Sequence, residues 1–179
     1  MRRVALLALA CAVLAGCGGG GDKAVAHVGG DAVTEKQLDA VVAHFRDEAR
    51  REGKSFPDEG SPAFRRTRNQ LLKLLVYRTE LEQAARRLGV TVSDDDVSRR
   101  MPAAQNGGEE TELSSDTFPR ETVRAQLLFE GIFRRVTRNV KAPTQTELSA
   151  RRNRAMSDYV SRLQRETKVR YEPGFAPGS

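Results

Sequence analysis

The sequence has 179 residues, enough for one domain with a hydrophobic core. Its 39% apolar and 30% charged residues are ordinary for a soluble folded protein and do not fit a disordered chain. The formal net charge of +6 could suggest a nucleic-acid ligand, but basic and acidic residues alternate along the predicted helices. We therefore interpret the charges as solvated helix faces, with attraction to anionic lipid or wall polymer as a secondary possibility.

The N-terminus has the features of an export signal. Arg2 and Arg3 precede an apolar run, residues 4–16, that is too short to span a bilayer. Leu14-Ala15-Gly16-Cys17 resembles the bacterial lipobox, which implies a lipoprotein signal peptide over residues 1–16 and a diacylglycerol on Cys17. The alternative is that Cys17 merely follows an ordinary cleavage site. With Cys11 removed in the signal, Cys17 is the remaining cysteine, and we expect no internal disulfide.

A glycine-rich tether, residues 17–23, is expected to connect this anchor to a domain over residues 24–172. The domain opens with a predicted hairpin, in which the glycines of Gly29-Gly30-Asp31 turn Val25–Val28 back into Ala32-Val33. Thr34 and Gln37 form a capping box that starts a helix reaching Gly53.

The central prediction is a helix of roughly 27 residues, about 40 Å long. Ser61 suits its N-cap, Pro62 its first position and Gly89 its left-handed end. An apolar stripe along it requires partner helices, and its members are Phe64, Leu71, Leu74, Leu75, Leu81, Ala84, Ala85 and Leu88. An extended Val90–Val92 follows, and Ser93 with Asp96 caps a short helix.

The C-terminal half predicts two further helices. Residues 102–116 lack periodicity and are expected to form a mobile loop, after which Thr117 and Pro119 start a long helix that Pro143 stops. We expect Gly131 in that helix to mark the close approach of another helix. Thr144 and Glu147 cap the last helix, which runs to about Thr167. Lys168–Glu172 alternates like a strand and should pair with Val25–Val28, leaving residues 173–179 as a tail.

Three stretches carry a family resemblance. Val25–Thr34 resembles the opening "V-A-x-V-N-G-x-x-I-T" pattern of the SurA and PrsA group of extracytoplasmic chaperones and foldases, with Gly29 in place of the usual Asn. Leu81–Val97 resembles the group's "L-x-x-x-A-x-x-L-G-I-x-V-S-D-x-E-V" run, and Val136–Leu148 is similar to the junction with its parvulin domain. The resemblance covers nearly all of Ala24–Tyr171. It implies a mainly α fold, a SurA N-terminal-like domain of long packed helices with a small sheet formed by the N-terminal hairpin and a C-terminal strand.

The chain departs from the foldases of this group after Leu148. They insert a parvulin-type prolyl isomerase there, whereas only 31 residues follow in this sequence and they read as the closing helix and strand. The aromatic, His and Cys residues of a parvulin site have no counterpart. The resemblance therefore implies the chaperone half without isomerase activity.

We find no motif for catalysis, a metal or a cofactor. His27 and His44 have no partners at metal-ligand spacing, and the sequence has no nucleophile elbow or phosphate loop. The acidic run Asp94-Asp95-Asp96 is explained by the dipole of the helix that it starts. We expect a protein that is not an enzyme and needs no cofactor.

Two functions fit these observations. The first is a chaperone, lipid-anchored at Cys17 on the extracytoplasmic face of the cell membrane, that holds unfolded exported proteins. The second is a scaffold or adaptor lipoprotein that binds one fixed envelope partner. Loop-bordering apolar residues are candidate client contacts, although each could equally cap the core: Phe56, Phe64, Met101 and Phe118. Arginines should add a salt-sensitive preference for acidic clients: Arg65, Arg66, Arg99 and Arg100.

Overall fold

A computed structural model describes residues 22–101 and 117–176, with the side chains of the second range described from Pro119. These residues form five helices and a small sheet. In chain order the elements are β1 (Ala24–Val28), β2 (Asp31–Thr34), α1 (Glu35–Arg51), α2 (Pro62–Leu88), α3 (Asp94–Arg100), α4 (Thr117–Thr137), α5 (Gln145–Glu166) and β3 (Val169–Tyr171). The mainly helical fold expected from the sequence is confirmed. The predicted signal peptide, residues 17–21 of the predicted tether and the predicted loop 102–116 lie outside the described residues.

The sheet joins the two ends of the domain. Its strand order is β2-β1-β3 and both pairings are antiparallel, with His27 opposite Ala32 on one side and Arg170 on the other. Gly29 makes the hairpin turn at a φ of 57°, which favours glycine. The predicted pairing of the C-terminal strand with the hairpin is thereby confirmed.

Short-range caps define the helix ends. The Ser61 hydroxyl accepts a hydrogen bond from the Phe64 N–H at 3.0 Å, and Gly89 ends the 27-residue helix α2 in the left-handed conformation. Both capping boxes, at Thr34 and at Ser93, are present. The Glu147 N–H donates to the Thr144 hydroxyl at 3.2 Å to start α5. These predictions are all confirmed.

Two hydrophobic cores share α2. The sheet core contains β1, β2, α1 and the first half of α2, and includes Leu38 and Leu72. The helix core joins the second half of α2 to α4 and α5, and includes Ala84, Ile132 and Leu163. One long helix therefore connects two separately packed regions.

Two predictions about α4 were wrong. The helix ends at Thr137, well before Pro143, because the Val140 N–H bonds to the Thr137 carbonyl in a turn instead of continuing the helix. A Cβ on Gly131 would lie 2.5 Å from Cγ1 of Val90. The close neighbour of Gly131 is therefore the segment that follows α2, and not another helix.

The packed structure continues past Glu172. Phe175, in the stretch predicted as a tail, is only 8% exposed and belongs to the sheet core. The Arg68 guanidinium lies 4.8 Å from its ring centroid, and the Asn69 side chain donates to the Ala176 carbonyl at 3.3 Å. None of the helices in the described ranges has the length and apolar character needed to cross a bilayer.

Candidate functional site

An apolar groove lies where α1, α2 and α4 meet, between the two cores. Its volume is about 410 Å³. Its lining is mostly apolar and consists of Phe45, Leu74, Leu75, Tyr77, Arg78, Leu81, Thr122, Ala125, Gln126 and Phe129. A surface depression with so few polar groups is suited to apolar side chains of a ligand.

Leu74 is the exposed large apolar residue of this groove. At 42% exposure it is the most exposed large apolar side chain of the described residues. The sequence placed Leu74 in the buried stripe of α2, and that assignment was wrong. Leu72 and Val76, which were not assigned to the stripe, are buried. Leu74 remains exposed because Leu71 and Leu75 of α2 pack into the sheet core, whereas Leu81 packs into the helix core.

An ion-pair cluster borders the groove between α2 and α4. The Arg78 Nε lies 3.6 Å from a Glu82 carboxylate oxygen, and Arg78 Nη1 lies 3.8 Å from one of Glu121. Burial raises the pKa of Glu82, and the neighbouring Arg78 charge opposes that shift. The contacts are longer than good hydrogen bonds, so their contribution to holding the two helices together is small.

Hydrogen bonds also position the first half of the domain on α2. The Gln83 side-chain amide donates to the Val28 carbonyl at 2.6 Å and to the Asp31 carboxylate at 2.8 Å. Arg86 pairs with the same carboxylate. The Gln83 hydrogen bond, reinforced by Arg86, lowers the pKa of Asp31. The hairpin is thus attached to the helix that forms the floor of the groove.

One carboxylate, that of Glu80, is buried outside the lining of the apolar groove. Glu80 on α2 is only 5% exposed, and burial raises its pKa. Tyr77 and Tyr171 lie close enough for the Glu80 charge to add to the effect of burial in raising their pKa values. Glu80 has no cation beside it in the structure's described part, and its ionised form is therefore destabilising.

The structure brings together two of the four predicted client contacts. The rings of Phe56 and Phe64 meet edge to face with centroids 6.4 Å apart, and the Arg46 guanidinium lies 5.6 and 6.0 Å from their centroids. Both rings are half-buried against the sheet core. Met101, at the end of α3, is 6% exposed. None of these three lines the groove, and their role as client contacts stays a prediction.

Two further assignments concern residues that the structure does not describe. The Phe118 side chain and Cys17 both lie outside the described part, so client binding by Phe118 and lipid attachment at Cys17 stay predictions.

The sequence pattern assigned Leu74, Leu75 and Leu81 of the groove to the buried stripe of α2, but one feature of the sequence could have indicated the groove. The run Leu71-Leu72-Lys73-Leu74-Leu75-Val76 places apolar side chains around more than half of the helix circumference. One core cannot bury all of them. The run therefore indicates either two packing surfaces or an exposed apolar position, and α2 has both.

Polar residues singled out in the sequence have structural partners. The His27 Nε2 lies 3.2 Å from a Glu172 carboxylate oxygen across neighbouring segments. Asp94 pairs with Arg124, and Asp96 completes the capping box at Ser93, whose hydrogen bonds lower the Asp96 pKa. The described residues contain no group of three side chains arranged to hold a metal ion.

The fold is that of a helical domain closed by a small terminal sheet, with an apolar groove on its long central helix. The chain matches the SurA-like N-terminal domain family over residues 3–140, and it belongs to that family. This is a family of the chaperone type, and the membership of this chain in it is consistent with the binding of protein substrates. The resemblance stated from the hairpin and from Leu81–Val97 is confirmed. No curated protein matches the chain.

Proposed function

We propose that this protein is a membrane-anchored extracytoplasmic chaperone that holds unfolded exported proteins and has no prolyl isomerase activity. The observation that carries the proposal is the apolar groove, with Leu74 exposed on the helix that joins both cores. Unfolded chains differ from folded ones in presenting apolar side chains to solvent. A groove of this composition binds that feature without reading a particular sequence.

The size of the groove suits weak, reversible binding. A volume of about 410 Å³ accommodates roughly two or three apolar side chains. Each contributes roughly 1.5 to 3 kcal/mol on full burial, and the ordering of the client chain opposes this. The balance corresponds to dissociation constants on the order of micromolar, so the chaperone must be present in near-stoichiometric amounts.

The course of the chain supports the proposal of a chaperone without an isomerase. Residues 138–144 connect α4 directly to α5, and α5 leads into β3, which completes the sheet. Helix α5 runs without interruption through Leu148, the point after which foldases of the SurA and PrsA group insert the parvulin domain. Diacylglycerol on Cys17 would supply two acyl chains, enough for stable attachment near emerging exported proteins.

Aggregation of an unfolded client tests this function. The protein, purified from Asp22 onward, should suppress light scattering by a dilution-unfolded client at near-equimolar ratio and without ATP. Leu74→Glu places a charge in the groove and should remove most of the suppression. Because Leu74 is 42% exposed and belongs to neither core, the substitution should lower the free energy of unfolding by only about 1 kcal/mol. Leu148→Glu, at a half-exposed leucine of α5 outside both cores, is the matched control.

The two variants give distinct outcomes. If wild type fails to suppress aggregation at several-fold excess, the holdase proposal is wrong. If a folded Leu74→Glu variant suppresses aggregation as well as wild type does, clients bind elsewhere, and Phe56→Ser with Phe64→Ser is then the next pair to examine.

The same groove would also serve an adaptor, since a compact apolar depression is the usual centre of a dedicated interface. Crosslinking in cells separates the two functions. A photoreactive residue at position 74 should capture many exported proteins if the protein is a holdase. Capture of one envelope protein, with tight binding on purification, would establish the adaptor function instead.

A further inference from the structure

A second cleft lies between α4 and the segment that connects α2 to α3. It consists of two adjoining depressions of about 510 and 350 Å³. They share Val90, Thr91, Gly131 and Arg134, so they form one continuous depression around the Val90 side chain. Arginines surround it: Arg99, Arg100, Arg134, Arg135 and Arg138. We call it the arginine cleft.

Three arginines of the cleft, at the end of α4 and in the turn that follows it, face solvent. Arg134, Arg135 and Arg138 are exposed, and none of them pairs with a carboxylate of the described residues. The two from α3 are already paired, Arg99 with Asp96 and Arg100 with Glu130. Within the part of the chain that the structure describes, these three positive charges of the cleft have no carboxylate partner. A guanidinium forms paired hydrogen bonds with a carboxylate, which makes acidic side chains its best-matched ligands in a peptide.

The lining of the cleft also includes apolar side chains. Leu88, Val90 and Leu127 are half-buried in its lining. The lining runs from Leu127 on α4 to Arg138, one residue past the end of this helix, about 17 Å at 1.5 Å per residue. That length corresponds to about five residues of extended chain. Its shape and its composition thus both fit a short extended segment that alternates acidic and apolar side chains.

We propose that the arginine cleft binds an extended peptide segment in which acidic residues stand beside apolar ones. This inference rests on the proposed function, because the proposed function makes a client protein the source of the peptide segment. The cleft itself is separate from the apolar groove. At 3.6 residues per turn, Leu127, Gly131 and Arg134 lie on the side of α4 opposite Ala125 and Phe129, which line the groove.

The position of the cleft favours a peptide over a bilayer surface. The chain enters the domain beside the first half of α2, because the Glu35 N–H bonds to the Lys23 carbonyl and the Glu35 carboxylate pairs with Arg68. Gly89, in the cleft, is 21 residues further along the chain, about 30 Å away along α2. An anchor at the N-terminus would therefore join the domain at the end opposite the cleft. A concave depression is also poorly suited to a flat surface of headgroups.

Fluorescence anisotropy tests the proposal with the purified protein. The probe is a labelled ten-residue peptide that alternates Glu with Val, and the reference peptide has Gln in place of Glu. Wild type should bind the Glu peptide more tightly than the Gln peptide, and added salt should reduce the difference. Arg134→Gln with Arg138→Gln should weaken binding of the Glu peptide by about 5- to 30-fold.

The matched control makes the same change of charge elsewhere. Arg154→Gln with Arg165→Gln alters two exposed arginines of α5 that pair with no carboxylate in the described ranges, and it should change the affinity by less than about 2-fold. Equal weakening by both pairs would show general charge attraction and overturn the assignment. Absence of binding of the Glu peptide to wild type would overturn it as well.

A vesicle experiment distinguishes the lipid alternative. Vesicles of phosphatidylglycerol and phosphatidylcholine should bind wild type and the Arg134/Arg138 variant equally. Selective loss of vesicle binding in that variant would reassign the cleft to lipid headgroups. A failure of the cleft proposal can be distinguished from a failure of the holdase proposal. When the client is apolar and uncharged, suppression of its aggregation by the Arg134/Arg138 variant depends on the groove alone.

Discussion

Replacing Gly131 with alanine tests how tightly α4 packs on the segment that follows α2. The added Cβ would lie 2.5 Å from Cγ1 of Val90, closer than carbon atoms can approach. Val90 is β-branched, with few alternative rotamers, so the overlap must be relieved by a shift of the backbone. Such overpacking costs about 1 to 3 kcal/mol. Alanine gains about 1 kcal/mol over glycine in helix propensity, and the net expectation is a loss of about 1 kcal/mol.

The same substitution should have the opposite sign when Val90 is already alanine. Val90→Ala removes both Cγ atoms and with them the overlap, so Gly131→Ala then contributes only its propensity gain of about 1 kcal/mol. The two effects differ by about 2 kcal/mol, which is well above the error of a double-mutant cycle. Urea unfolding followed by circular dichroism measures all four proteins. Stabilisation by Gly131→Ala in the wild-type background would refute the packing argument.

The remaining predictions concern the anchor, the chemistry and a buried acid. Cys17→Ala should remove fatty-acid label and release the protein from the membrane fraction; retention of both would disprove lipidation at this residue. A protease-coupled assay should show no prolyl isomerase turnover, and turnover proportional to added protein, after removal of contaminating isomerases, would contradict the proposal. Burial raises the Glu80 pKa above its ordinary 4.5, so ionisation destabilises the fold as the pH rises from that value through the raised pKa. Glu80→Gln should therefore increase the free energy of unfolding at pH 7, and this gain should shrink as the pH falls below the ordinary pKa of a glutamate. A gain that does not depend on pH would contradict this reasoning, as would an equal gain in the exposed control Glu166→Gln.

The sequence alone predicted the ends of most helices. Ser61 and Gly89 bound α2, and the Thr34 and Ser93 capping boxes start α1 and α3, as expected. These features are readable because each depends on hydrogen bonds between residues three or four positions apart. The end of α4 was misplaced because a local turn at Thr137 preceded the stronger signal of Pro143.

The sequence also determined the family and the closure of the fold. The alternation in Lys168–Glu172 required a partner strand, and the hairpin of Val25–Val28 was the available one. The motif around Leu81–Val97 carried the resemblance that the match to the SurA-like N-terminal domain family confirms. Neither inference needed the distances between helices.

Only the tertiary structure decided which apolar and charged side chains remain accessible. Leu74 and Leu75 are adjacent in one helix, yet Leu75 is buried and Leu74 opens into the groove. Phe175, at the end of the chain, is buried, and Val90 occupies the space that Gly131 leaves. The groove and the arginine cleft both arise from the rotation of α4 about its axis relative to α2. That rotation is fixed by packing between residues that are tens of positions apart, which the periodicity of a single helix does not specify.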